Sequence, residues 1–165
     1  MTSKRFLLLA RVADHEKLVP AARSLNDLPE VEWWHAVDGH VNLVVYLDGD
    51  SNLLLSHLTS KVGSVPVTTC EILSNGLSLP ALSTDDCHAW VFVDAEPAHL
   101  TSIRRSIEGT SGVLCVLATR GGCDLAALIK GPDSAAIDRT INDLIRPLDG
   151  ILRLKQNHII NLTSL

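Results

Sequence analysis

The sequence predicts an α+β fold in which one βαββαβ module is written twice. Three observations lead there. First, Ala118-Thr119-Arg120-Gly121-Gly122-Cys123-Asp124-Leu125 reads as a strand, a glycine turn and a second strand, with an acid where the chain leaves the turn. Second, Ala36-Val37-Asp38-Gly39-His40-Val41-Asn42-Leu43 is its counterpart: without a gap, Ala36 falls on Ala118, Gly39 on Gly121 and Leu43 on Leu125, and Asn42 stands opposite Asp124. Third, Leu18/Leu100, Leu25/Ile107 and Val31/Val113 match at the same offset.

The elements follow in order. Arg5 to Val12 is an apolar run and reads as a buried strand. Asp14 to Leu25 has helical spacing, with Leu18, Ala22 and Leu25 on one face. Pro20 conflicts with a regular helix there, because an interior proline removes a backbone bond and crowds the previous turn. Either the helix starts late or it is kinked. Val31 to Val37 is a second strand, in which Trp33 and Trp34 must point to opposite faces. Asp38-Gly39 signals a hairpin, since a tight turn asks for positive φ. Leu43 to Leu47 is the third strand. Ser51 is placed to cap a helix lined by Leu54, Leu55, Leu58 and Val62, which Gly63 stops. Val65 to Leu73 closes the first unit, residues 1–73. Residues 74–86 carry turn formers and no sustained period, so they read as a linker. The second unit, 87–165, repeats the order. Ala89 to Val93 is a strand. Pro97 opens a helix with Leu100, Ile103 and Ile107 at helical spacing. Val113 to Thr119 and Leu125 to Ile129 flank Gly121-Gly122. A second helix puts Ile137, Ile141, Leu144 and Leu148 on one side, and Ile151 to Leu162 is the last strand. Each half is thus a split βαβ, or ferredoxin-like, unit.

Composition narrows the function classes. The chain has 165 residues, 46% of them apolar, which is enough for a real core. The formal charge of −5 is dispersed, with no basic run longer than two residues, whereas a nucleic-acid footprint needs clustered Lys and Arg. No apolar run is long enough to span a bilayer, and no signal peptide is read at the N-terminus. The expected location is the cytoplasm, where Cys70, Cys87, Cys115 and Cys123 are expected as reduced thiols, without C-x-x-C spacing. The Asn161-Leu162-Thr163 sequon would go unused there.

The second half resembles the effector-binding domain of the leucine-responsive/AsnC family of bacterial and archaeal regulators. The residues that carry the likeness are Ala118 to Leu125, with the glycine, two residues, aspartate pattern, and Gly150-Ile151-Leu152-Arg153 before the closing strand. The first half matches more weakly, with Asn42 where the family has aspartate. The resemblance implies a (pseudo)dimeric α/β barrel, in which two ferredoxin-like units bring their sheets together, here within one chain. It implies a small-molecule effector, such as an amino acid or organic acid, and an oligomer with itself or with related regulators. Family regulators also carry an N-terminal helix-turn-helix. None is visible ahead of the first strand, so direct DNA binding is not expected, and transcriptional regulation would run through a partner.

Candidate ligand residues are therefore Thr119, Arg120, Gly121, Gly122 and Asp124, with Gly39, His40 and Asn42 in the first half. A carboxylate and an amide just past the turns could hold the charged ends of an amino acid, beside backbone N–H groups. The plainer reading is that Asp124 and Asn42 bond nearby backbone and cap the hairpins. His35 and His40 bracket the first turn and could converge, but no metal-binding spacing occurs among the seven histidines. Arg120, Arg153 and Lys155 could supply a local anion site. No Ser/His/Asp set or phosphate loop is present, and no cofactor or metal is expected. The expected function is a non-catalytic effector-binding or oligomerisation module. The alternative is an enzyme, because the same barrel resembles haem-handling proteins and monooxygenases, and a tetrapyrrole decarboxylase branch of the regulator family pairs such modules.

Overall fold

A computed structural model describes residues 4–73, 79 and 81–160. The elements run β1 (Arg5–Ala10), α1 (His15–Ser24), β2 (Val31–Ala36), β3 (Leu43–Asp48), α2 (Ser51–Val62) and β4 (Val67–Ile72). They continue with β5 (Cys87–Ala95), α3 (Leu100–Glu108), β6 (Val113–Arg120), β7 (Leu125–Gly131), α4 (Ser134–Thr140) and β8 (Ile151–His158). The described residues divide into two compact units: one runs to Ile72 and takes in Ile160, the other runs from Leu73 to Ile159. Much of the expected linker, 74–78 and 80, lies outside the described residues, as do residues 161–165 with the end of the expected last strand and the sequon. Among the described residues no helix is long and apolar enough to cross a membrane.

Both units are βαββαβ. The first has strand order β2-β3-β1-β4 and the second β6-β7-β5-β8, with antiparallel neighbours in each unit. The equivalent central strands explain the Leu-rich run at the start of the chain. Leu7, Leu8, Leu9 and Ala10 of β1 are all buried, so residues on both faces leave water, and such a strand reads as continuous apolar sequence rather than alternation. On the helix-covered face, Leu8, Ala10, Val45 and Leu47 pack with Leu18, Leu25, Leu54 and Leu58. In the second unit Ala89, Val91, Val93, Leu125, Ala127 and Ile129 pack with Ile103, Ile107, Ile137, Ile141 and Ile145.

Local chemistry chooses between the two readings of α1 and departs from expectation at two other helices. Asp14 caps α1, accepting from Glu16 N–H at 3.0 Å, so the helix starts on time and Pro20 sits inside it. Asp50, not Ser51, caps α2, accepting from Asn52 N–H at 2.9 Å; Asp50 has the extended backbone of a cap, whereas Ser51 is already the first helical residue. Beyond α4, Ile141–Ile145 forms a π-helical turn, with Arg146 N–H donating to Ile141 O at 2.8 Å. The wider turn brings Ile145 into the core and leaves Leu144 54% exposed, which overturns its expected place beside Ile137 and Ile141.

Candidate functional site

The two hairpins that carry the candidate residues are built alike. Each has a four-residue loop, 38–41 or 120–123, closed by one backbone bond: Val37 N–H to Asn42 O at 3.1 Å, and Thr119 N–H to Asp124 O at 2.9 Å. Gly39 and Gly121 open these loops at φ of 99° and 112°, a conformation that costs other L-residues about 1–2 kcal/mol. Each loop is then tied to the end of its unit's first strand. Asn42 N–H donates to Ala10 O at 3.0 Å, and Asp124 N–H to Val93 O at 2.9 Å.

The side chains extend the same tie. Asn42 is buried and faces Val12 with both ends of its amide: Oδ1 accepts from Val12 N–H at 2.8 Å, and Nδ2 donates to Val12 O at 2.7 Å. Asp124, half-buried, accepts from Ala95 N–H at 2.9 Å through Oδ2. The two residues thus bond backbone some thirty positions back, at |i−j| of 30 and 29. An amide can satisfy one donor and one acceptor at once, which matches Val12; an ionised carboxylate accepts only, and one bond leaves it with capacity on both oxygens.

Around Asp124 the remaining candidates separate by burial. Thr119 is buried, its Oγ1 donating to Cys123 O at 2.8 Å and lying 3.2 Å from Cys123 Sγ. Arg120, Gly121 and Gly122 are exposed. In the first unit Gly39 is exposed and His40 half-buried, and the exposed Arg11 guanidinium donates to Gly39 O at 2.8 Å. Arg153 faces Asp94 on the neighbouring strand at 3.7 Å, and Lys155 stands opposite Phe92, so the two are two residues apart on the same face of β8.

The histidines are dispersed. His35 stacks on Trp33 with ring centroids 4.4 Å apart, and Trp33 on Tyr46 at 5.3 Å, on the sheet face away from the helices. Trp34, on the other face, packs into the core and donates from Nε1 to Asn26 Oδ1 at 2.9 Å. His57 meets Ser24 Oγ at 2.8 Å, and His158 meets Asp138 at 2.8 Å, where Gln156 also donates at 3.0 Å. Among the described residues no group of three or more metal-type ligands occurs. Among the described residues Cys70, Cys87, Cys115 and Cys123 form no disulfide. Burial pushes the Cys115 thiol up to about 11, against a lowering bond from Leu128 backbone, so it stays a protonated thiol at neutral pH. Burial, above all, also raises the Tyr46 hydroxyl, with Arg5 pulling it back. Sequence reasoning missed the aromatic stack and the Asp138 cluster, because each joins residues through sheet register or helix packing; the alternate-residue spacing of Trp33 and His35 was the one available signal.

No protein-family model matches the chain, and no curated protein matches it. Solved structures do. The siroheme decarboxylase NirDL is similar with a TM-score of 0.74 at 12% identity, over 94% of this chain and 71% of that one. A mutant chlorite dismutase from Candidatus Nitrospira defluvii is similar with a TM-score of 0.58 at 9% identity, over 99% of this chain and 93% of that one. AsnC from E. coli gives a TM-score of 0.44 at 11% identity, over 68% of this chain and 74% of that one. At these identities the likeness shows the fold: ferredoxin-like α+β units of the kind found in dimeric α/β-barrel proteins.

Proposed function

We propose that the chain is a non-catalytic small-molecule-binding module that takes an amino-acid-like ligand or small organic acid at the loop between β6 and β7. The observation that carries this reading is the state of Asp124. It is fixed by Ala95 N–H, retains acceptor capacity, and belongs to the same hairpin as the exposed Arg120-Gly121-Gly122 tip. An ammonium group suits Asp124 and a carboxylate suits Arg120. Co-purification with helix-turn-helix regulators tests a role in transcription through a partner.

A thermal-shift screen of the amino acids and small organic acids tests the reading. A true ligand stabilises increasingly with concentration, by about 2.7 kcal/mol at a hundredfold excess over Kd. Hits confined to tetrapyrroles or apolar compounds would overturn it. The second reading, an enzyme handling haem or another tetrapyrrole, is favoured by the likeness to NirDL over 94% of the chain, a protein also solved with an iron-uroporphyrin III analogue. Haem titration with a Soret readout separates the two. Under either reading the chain leaves duplex DNA unshifted at submicromolar protein in 200 mM salt, because its cationic residues are scattered.

A further inference from the structure

The two units differ at one equivalent place in their sheets. In the first unit Arg5 of β1 stands opposite Asp48 of β3 and pairs with it at 3.6 Å. In the second, the same first-strand and third-strand positions hold His88 and Lys130, five residues after the matched Leu43 and Leu125 in the third strands. An ion pair has been replaced by two basic residues. His88 is only 6% exposed, and among the described residues its Nε2 is buried with no hydrogen-bond partner. A neutral imidazole tolerates that place at modest cost. An imidazolium there would bury a charge beside another cation, which is far more costly.

We propose that His88 is an acid-sensitive latch: neutral, it holds the leading end of β5 in the sheet, and protonated, it releases that end.

Within the second unit, the charged groups that act on His88 are Lys130, opposite it on β7, and Asp86 from the segment before β5; from β8, the same face presents the neutral Asn157 beside Trp90. His158, the titratable residue of β8 nearest in register, is turned to the other face and to Asp138. Asp86 already meets Lys130 at 3.9 Å, so it is shared rather than free to neutralise a second cation. Burial chiefly, and Lys130 in addition, hold the His88 ring below its ordinary value of 6.5, against the opposing pull of Asp86. The folded state therefore prefers neutral His88: its contribution is complete above about 6.5 and is lost as pH falls. Release would undo the Cys87–Gly131 pairing and the bond from Ile159 N–H to His88 O at 2.8 Å. The same end borders a half-open groove of about 290 Å³ lined by Asp86, Ser111, Gly112 and Lys130, which release would widen.

Amide hydrogen exchange on the full chain tests the latch. Between pH 7.5 and 5.5, corrected for intrinsic exchange, opening at Cys87, His88, Ala89 and Ile159 should rise by up to about tenfold, the most one newly titrating histidine can supply one unit below its ordinary value. Amides at the opposite end of β5 should not follow. His88→Gln and His88→Met should remove the pH dependence. Persistence of that dependence in both variants would overturn the proposal. If neither variant folds, the wild-type His88 ring signal decides: titration below 6.5 supports the latch, and titration at 6.5 or above overturns it.

Discussion

Asn42 and Asp124 hold the same position in two copies of one module and tie their hairpins to the same place, the end of the first strand. They do so with different chemistry. Asn42 answers a donor and an acceptor of Val12 at 2.8 and 2.7 Å, so both ends of its amide are engaged. Asp124 answers Ala95 N–H alone at 2.9 Å. In the first unit the residue completes the architecture. In the second it provides the tie and keeps acceptor capacity to spare, which is why the proposed ligand site falls on one hairpin and not on both. Divergence between repeats is most informative where the backbone role is shared and the leftover chemistry is not.

The comparison breaks most visibly at Asn42. Asn42→Ala leaves Val12 N–H and Val12 O without their partner in a buried place, at about 1–3 kcal/mol for each group. Urea unfolding should show a lower midpoint at unchanged slope. Asn42→Asp, which copies the second unit, keeps the acceptor but sets an oxygen against Val12 O. It should destabilise at neutral pH and recover as pH falls through the carboxylate range. A midpoint in Asn42→Asp equal to wild type at pH 7 would mean that the two hairpins tolerate either residue.

Gly39→Ala and Gly121→Ala sharpen the shared part. Both glycines have positive φ, so each substitution should cost about 1–2 kcal/mol, and by similar amounts, whether or not a ligand is bound. A large inequality between them, read by calorimetric Tm, would show that the loops are not equivalent.

Much of this was legible in the sequence because it is local. Gly39 and Gly121 announce positive φ, the matched leucines and valines announce the repeat, and element order follows from period and punctuation. What was hidden depends on distance or on helix irregularity. The partners of Asn42 and Asp124 lie thirty and twenty-nine residues away, where no local pattern points to them. The cap at Asp50 was one residue from the expected Ser51, since adjacent cap formers compete and only the backbone decides. Leu144 fitted the period of a regular helix and lost its place to Ile145 when the π turn widened the helix. His88 lay just outside the expected strand Ala89 to Val93, and its burial and its lysine neighbour come from register alone.

The smallest expected effect on stability is at Asp124, and it carries the largest consequence for function. Asp124→Asn keeps an oxygen for Ala95 N–H, so Tm should barely move. If Asp124 holds an ammonium group, the same change removes a charge-assisted bond worth roughly 1.5–3 kcal/mol, about a ten- to hundredfold loss of affinity. Titration calorimetry of wild type and Asp124→Asn, with the strongest amino-acid hit of the screen, therefore tests the central claim most directly. The account predicts that weakening at nearly constant Tm. Equal affinity in the two proteins would contradict it and leave Asp124, like Asn42, as a tie between a hairpin and its strand.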